Sequence, residues 1–193
     1  MKKLLLLLLL LPLICFGQTK QDLFYLIDKF PVDKSGNIDF CIVDSVKNVS
    51  KESLHTRAIQ AIYFYFKDVP SSAIPLYDDT NDIIIYRGRF GRYERTQKVF
   101  SSVLNTYIYR FTLKLECENN IYKIDFYDIS ESRGNITTDL SDLLNKDYYN
   151  RTKLLSNTLK AKYNSILFIY NYLTNKIKLI NEYMKQPEKK DGK

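Results

Sequence analysis

The 193-residue chain contains no tryptophan, one histidine, three cysteines and two methionines, and these shortages limit its chemistry. Catalytic triads and most zinc sites are built from histidine or from several cysteines. The only histidine, His55, would have to work with carboxylates alone, so we interpret it as a partly exposed structural residue of a helix. The sequence predicts no catalytic residue, no metal site and no cofactor.

Apolar runs are short except at the amino end. Two lysines precede an apolar run over residues 4–14, and the small residue Gly17 follows shortly after. This order is typical of a signal peptide. A membrane-spanning helix needs about 20 apolar residues, nearly twice the length of this run. We expect residues 1–17 to be a signal peptide cleaved near Gly17, which predicts an exported protein, periplasmic or secreted.

The cysteines leave two alternatives open. Cys15 ends the apolar run, as in a lipoprotein signal, although Ile14 stands where such a signal needs a small residue, so lipidation at Cys15 is the alternative to cleavage. Cys41 and Cys117 remain in the exported chain, where a disulfide is permitted. Both lie in apolar runs, which favours buried thiols without excluding a bridge.

The charge is mildly basic. The net charge of +7 falls to +5 when the two signal lysines are removed. Much of the excess lies near the carboxyl end, where residues 186–193 are expected to form a disordered basic tail. Because export separates the protein from nucleic acid, we expect no nucleic acid partner. An anionic envelope glycan, a phosphate group or another protein fits the charge better.

The first clear elements are a strand and a helix. Residues 18–37 show no sustained period, whereas Asn37–Val46 predicts a strand with much of both faces covered. In "VSKESLHTRA", which follows, Ser50 is a good N-cap and Glu52 favours the positive end of a helix dipole. The buried stripe of this helix is predicted at Leu54, Ala58, Ala61, Ile62 and Tyr65.

Antiparallel strands come next. The segment from Asp82 to Phe100 is either one bent strand or a hairpin around Gly88 and Gly91. The runs "TYIYRFTLKLEC" and "IYKIDFYDI" alternate apolar and polar residues on either side of the turn "ENN", which predicts a hairpin. Its inward side chains are expected to be Tyr107, Tyr109, Phe111, Leu113, Leu115, Cys117, Tyr122, Ile124 and Phe126.

The carboxyl third predicts a long helix over residues 151–185. Its apolar positions recur every three or four residues from Leu159 to Met184. At 1.5 Å per residue such a helix is about 50 Å long. It either packs on its own sheet or projects from it and self-associates with a second copy as a coiled coil.

Two stretches carry a family resemblance. They are the strand-to-helix junction "V-x-x-V-S-K-E-x-L-x-x-R-A" at Val46–Ala58 and the hairpin "YIYRFTLKLECENNIYKIDFYDI" at Tyr107–Ile129. They resemble a family of exported bacterial proteins known as a domain of unknown function with a TBP-like fold, over roughly Ser35–Ser130. That family often carries an aromatic residue, commonly tryptophan, near the end of the first helix. Here Tyr63, Phe64 and Tyr65 stand at that place.

The resemblance implies an α+β fold and no established activity. We expect an antiparallel sheet of four to five strands, of β-α-β-β-β-β type, with helices on one face. Residues 18–150 would form this TBP-like domain, followed by the long C-terminal helix over residues 151–185. The TBP label does not imply DNA binding, because a fold does not fix a function.

The candidate ligand-binding residues lie in "YRGRFGRYER". Arg87 and Arg89 alternate onto one face of a strand, Arg92 and Arg95 follow, and Tyr93 lies between them. Arginine forks suit phosphate and carboxylate groups, and aromatic rings suit sugars. The alternative is an ordinary solvent face whose basic residues discourage pairing at a sheet edge.

Acidic residues give weaker candidates. Residues 77–82 resemble the start of a calcium loop, but Ile83 stands where that loop needs glycine, so we expect a solvated turn. Asp125 and Asp128 are the acids to consider for glycan hydrolysis. The sequence therefore favours a non-enzymatic binding or assembly module of the cell envelope. The alternative is a hydrolase of envelope polymers that uses carboxylates.

Cleavage after Gly17 has a direct test. We expect amino-terminal sequencing of the exported protein to begin at Gln18, because the small residue sits where signal peptidases cut. A mature chain that keeps Met1 would contradict the prediction, and one that begins at a lipidated Cys15 would support the lipoprotein alternative.

Overall fold

The computed structural model describes residues 19–34, 38–66, 76–78, 83–98, 101–152 and 155–186. The predicted signal peptide, most of the calcium-like turn and the tail after Gln186 lie outside these residues. The helices are α1 (Lys20–Ile27), α2 (Lys51–Tyr65), α3 (Leu140–Leu143), α4 (Lys146–Arg151) and α5 (Ser156–Met184). The strands are β1 (Phe40–Ser45), β2 (Leu76–Asp78), β3 (Ile83–Lys98), β4 (Ser101–Glu118), β5 (Ile121–Arg133) and β6 (Ile136–Asp139).

All strand pairs are antiparallel, and the predicted α+β class is confirmed. Five strands follow the order β1-β5-β4-β3-β2, and β6 pairs with the end of β5. In β4 every second residue from Tyr107 to Cys117 is buried, and α2 and α5 pack on this side of the sheet. We call it the helix face and the opposite side the bare face. None of the described helices has the length and apolar content needed to cross a bilayer.

An aromatic layer fills the space between the sheet and the helices. Phe111, 2% exposed, lies at its centre. The ring of Phe90 stacks on that of Tyr172 from α5, with centroids 3.6 Å apart. The tilted contacts of Phe111, with ring centroids 5.3–6.2 Å apart, are of the kind that adds stability beyond the burial of apolar area. The rings around Phe111 are those of Phe66, Tyr86, Phe90, Phe126 and Tyr172.

Helices α2 and α5 each place a basic residue at the end of the other. Arg57 of α2, 7% exposed, donates a hydrogen bond to the carbonyl of Met184 at the end of α5. Lys176 of α5 donates to the carbonyl of Tyr65 at the end of α2, at 2.6 Å. A cation at a helix C-terminus satisfies orphan carbonyls and the helix dipole. These contacts run in opposite order along the two helices, which makes the pair antiparallel.

The junction "VSKESLHTRA" is held by the turn of the β4–β5 hairpin. Ser50 is the N-cap of α2, as predicted, and accepts a hydrogen bond from the amide of Ser53. The side chain of Asn120 accepts from the amide of Val49, at 3.0 Å, and the amide of Asn120 donates to the carbonyl of Val49. Polar turn residues therefore fix where the helix begins relative to the sheet.

Three predictions need correction. Helix α1 occupies a segment for which no element was predicted, because eight residues are too few for a helical period to show in the sequence. The long helix begins at Ser156, after the separate short helix α4. The second face of β1 is not covered, since Val43 is 65% exposed. Two alternatives were open for the segment around Gly88 and Gly91, one bent strand or a hairpin. The structure shows a single strand, β3.

The stripe of α5 packs on the chain's own sheet. The helix has 29 residues and is about 43 Å long. Ile166, Leu173 and Ile180 are fully buried. The residues that would form a coiled-coil seam are therefore already occupied. Self-association through this helix stays a prediction, but the apolar stripe that suggested a coiled coil is buried against the sheet.

A polar network joins the end of α5 to β1. The hydroxyl of Tyr122 donates to the side chain of Asn181 at 2.6 Å, and the amide of Asn181 donates to Asp44 at 3.1 Å. Lys185 forms an ion pair with the same carboxylate. The hydrogen bond from Lys185 holds the pKa of Asp44 below its ordinary value. Hydrogen bonds from the backbone amide of Ser45 and the side chain of Asn181 lower this pKa further, by smaller amounts.

The aromatic layer should tolerate no side chain at position 88, which is occupied by glycine. A Cβ atom there would lie 2.7 Å from Cε1 of both Phe111 and Tyr86, whereas at Gly91 the nearest atom is a carbonyl oxygen at 3.6 Å. We expect Gly88→Ala to lower the free energy of unfolding by about 1–3 kcal/mol through overpacking. The control Gly91→Ala should leave it unchanged or raise it by about 0.5 kcal/mol. Urea denaturation measures both, and equal effects would contradict this packing argument.

Asp44 should make stability sensitive to acid. Because its pKa is lower in the folded than in the unfolded chain, its contribution is complete above the ordinary aspartate pKa of about 3.9 and is lost as the pH falls through the lowered folded value. We expect Asp44→Asn to lose less stability than the wild type between about pH 5 and 2. Melting temperatures across this range test it, with Asp142→Asn as control. A parallel pH profile for Asp44→Asn and wild type would contradict the assignment.

Candidate functional site

The bare face of the sheet divides into two halves of different charge. In the half near β1, two ion pairs balance the charge: Lys114 with Glu116, and Lys123 with Asp125. In the other half arginines dominate. This contrast singles out the second half, because exposed sheet faces normally mix both signs.

Three arginines form the centre of that half. Arg87 and Arg89 point outward from β3, as predicted, and both are exposed. Arg89 lies directly opposite Arg110 of β4. Directly opposite side chains have Cβ atoms about 4.5–5.5 Å apart, and like charges so placed destabilise a sheet. We call Arg87, Arg89 and Arg110 the arginine patch.

Within the described part of the chain, little negative charge offsets the positive charge of the patch. Arg110 donates to the hydroxyl of Ser132. Asp128 lies beside the patch and accepts a 3.5 Å hydrogen bond from Thr112. No acidic side chain of the described residues forms an ion pair with Arg87 or Arg89. The patch therefore carries an excess of positive charge.

Aromatic side chains border the patch. Tyr93, 71% exposed, lies on the same face of β3. Tyr127 of β5 is half-buried and lies in the row of Arg87, since Thr112 is the register partner of both. Among the described strands, β2 covers the outer side of β3 only at Ile83–Ile85. The patch thus lies along an exposed strand, a position that also fits the role of discouraging edge pairing.

The other two predicted arginines do not join the patch. Arg92 lies on the helix face, where it pairs with Glu94 at 3.1 Å and donates to the hydroxyl of Ser165 at 3.4 Å. Its guanidinium also lies 5.5 Å from the ring centre of Tyr107. The strict alternation of a strand explains the separation from Arg89. The backbone of Arg95 pairs with Leu104, and its side chain lies outside the described part.

Within the described residues, His55, Cys41 and Cys117 are not brought together in one site. His55 is half-buried on α2, in agreement with its interpretation as a structural residue. Cys117 is buried on the helix face, while Cys41 is only partly buried and lies on the bare face. Side chains on opposite faces of a sheet cannot form a disulfide. Across the described ranges, no group of three or more histidine, cysteine or acidic side chains is placed to hold a metal ion.

The two predicted acids, Asp125 and Asp128, lie in different places. Asp125 is ion-paired on the bare face, and Asp128 lines a groove of about 780 Å³ between α1, β5 and α3. Asp28 and Asp139 also line this groove, and Asp28 is paired with Lys146. The rest of the lining is largely apolar. The groove is the place where a carboxylate mechanism would have to be sought.

Sequence reasoning missed two residues of interest. Arg110 was placed on the outer face of β4, but its position opposite Arg89 depends on a register that the sequence does not give. Glu131 follows the predicted hairpin, which ends at Ile129, yet it lies within β5 and only 7% of it is exposed. The signal for Glu131 lies in the spacing of buried residues, which changes from two to three between Phe126 and Ile129 and so indicates a bulge.

Comparison with known proteins defines the fold. No protein-family model matches the chain, and no curated protein does. Among solved structures, a DUF4468 family protein from Bacteroides ovatus superposes with a TM-score of 0.61 at 12% identity, covering 88% of this chain and 98% of its own. The two proteins share one fold.

A second solved structure, a TBP-like protein from Parabacteroides distasonis, gives a TM-score of 0.45 at 15% identity, covering 78% of this chain and 96% of its own. The resemblance seen in the sequence, to a family of unknown function, is in line with the name of the first structure. Neither name states an activity, so the function has to be argued from this chain's own surfaces.

Proposed function

We propose that the chain is an exported, non-enzymatic binding module of the cell envelope. In this proposal the arginine patch holds a glycan that carries phosphate or carboxylate groups. Export is inferred from the amino-terminal sequence, and the proposed module needs no cofactor.

The observation that carries the proposal is the position of Arg89 directly opposite Arg110, with Arg87 two residues away on the same face. Two like charges facing each other across a sheet weaken it. An anion between them would remove that repulsion and accept hydrogen bonds from both guanidinium forks. The fold tolerates the repulsion in isolation and would gain stability from the ligand.

The shape of the surface favours an extended polymer over a small molecule. The patch lies on an open sheet face, and an exposed aromatic ring, Tyr93, lies farther along the same strand. Aromatic planes stack on sugar rings while arginines bind the charged substituents. Export argues against nucleic acid, which the same combination would otherwise suit.

The hydrolase alternative has one supporting observation, the groove that contains Asp128 and Asp139. Hydrolysis of a glycosidic bond needs two carboxylates on either side of it. Because Asp28 is ion-paired and Asp128 is hydrogen-bonded to Thr112, the groove supports this alternative less well than the patch supports binding.

The double substitution Arg87→Gln with Arg89→Gln tests the patch. We expect it to weaken binding of polygalacturonate and of a phosphorylated mannan by about tenfold or more, since each charged hydrogen bond contributes about 1.5–3 kcal/mol. Neutral dextran should not bind either protein. Comparison of the two polymers distinguishes carboxylate from phosphate recognition. Isothermal titration at two salt concentrations gives the affinities.

The matched control is Lys160→Gln with Lys178→Gln, which removes the same charge from exposed positions of α5. An equal loss of affinity in this control would mean that net charge alone binds the polymer. Unchanged polymer binding together with new self-association of the arginine variant would assign the arginines to edge protection instead. Release of reducing ends from either polymer would support the hydrolase.

A further inference from the structure

A second candidate site, a partly open pocket, lies on the helix face, under the first half of α5. It is a pocket of about 230 Å³ between the ends of β4, β5 and β6 and one side of the helix. On α5 its lining residues follow the helical spacing of three and four. Its lining includes Glu131, Arg133, Ala161 and Lys162.

A bulge in β5 directs Glu131 into this pocket. The register between β4 and β5 shifts by one residue between Arg110 and Thr112, and Asp128 has a left-handed φ of 51°. Asp tolerates this conformation better than most residues. Without the shift Glu131 would face the bare side, because a slip of one residue exchanges the faces of a strand. With the shift it lies directly opposite Tyr109 on the helix face.

Two polar groups beside the pocket lack partners within the described residues. They are Oε2 of Glu131 and the hydroxyl of Tyr109, which is fully buried; this hydroxyl lies near Glu131 and Ser165 but has hydrogen-bond geometry to neither. Buried polar atoms are nearly always hydrogen-bonded, and an unpaired buried carboxylate is costly. Burial, and to a smaller extent the charge of Glu131, raise the pKa of Tyr109, so its hydroxyl keeps its proton. A ligand in the pocket would supply the missing partner.

Positively charged side chains line the same pocket as the carboxylate of Glu131. Arg133 and Lys162 line the same pocket, and Arg133 is the more exposed. The guanidinium of Arg133 is held in place, since it donates to Asn105 at 3.0 Å and lies 5.3 Å from the ring centre of Tyr107. The pocket is therefore lined by one carboxylate and two cations, an arrangement that fits a ligand carrying one positive and one negative charge.

We propose that this pocket binds a small zwitterion of the amino-acid class, with its ammonium group on Glu131 and its carboxylate on Arg133 and Lys162. The size agrees with this class. A water molecule occupies about 30 Å³ in the liquid, so the pocket has room for about seven non-hydrogen atoms. It is smaller than the pockets of about 300 Å³ and more that hold drug-sized ligands.

The test is isothermal titration of the mature chain with L-alanine, L-serine, L-threonine and L-valine, each compared with the amine that lacks its carboxylate and the acid that lacks its amine. We expect at least one amino acid to bind and both of its analogues to bind at least about tenfold more weakly, because each loses a charged contact. Absence of binding by all four amino acids, or equal binding of the analogues, would overturn the proposal.

Two variants locate the binding in the pocket. Glu131→Gln should weaken it by about tenfold or more, while the control Glu118→Gln, at an exposed position on β4, should leave it unchanged. Ala161→Leu should abolish binding by filling the pocket without changing a charge. Full affinity in either pocket variant would contradict the assignment. Circular dichroism checks that each variant is folded, and if Glu131→Gln is not, Ala161→Leu alone decides.

Discussion

The packing of a layer of aromatic side chains onto one face of the sheet is the constraint on which the rest of this structure depends. Phe111 sits at the centre of that layer and contacts rings from β3, β5 and α5 and the ring that follows α2. The layer requires a residue without a side chain at Gly88. Because α2 and α5 cover this face, the apolar residues of the strands are used there. The opposite face carries mostly polar side chains, with a few exposed apolar ones such as Val43.

That division explains why charge on the bare face carries information. A face with no packing role can be covered by any mixture of polar residues, and near β1 the mixture is balanced by ion pairs. Pairs of this kind stabilise a protein little, so they mainly keep the surface neutral. Near Arg89 and Arg110 the same sheet leaves like charges facing each other. Folding does not need this arrangement, which is why we attribute it to binding.

The sequence predicted the elements whose period extends over several turns or alternations. The hairpin, the stripe of α2 from Leu54 and the stripe of α5 are examples, and the cap at Ser50 was readable because capping is local. Helix α1 was missed because two turns are too short to display a period. The position of Arg110 opposite Arg89 and the burial of Glu131 were not predictable from local pattern. Both depend on register between strands, which long-range packing decides.

The bulge at Asp128 connects the two proposed sites. Arg110 and Tyr109 are consecutive in β4 and point to opposite faces, one into the arginine patch and one beside the pocket. The shifted register of β5 gives Arg110 the hydroxyl of Ser132 and gives Tyr109 the carboxylate of Glu131. A regular β5 would place Ile129 opposite Arg110 and Ser130 opposite Tyr109, and it would turn Glu131 to the bare face. The bulge thus turns Glu131 away from the bare face and into the pocket, so the charge of both proposed sites depends on a single extra residue in one strand.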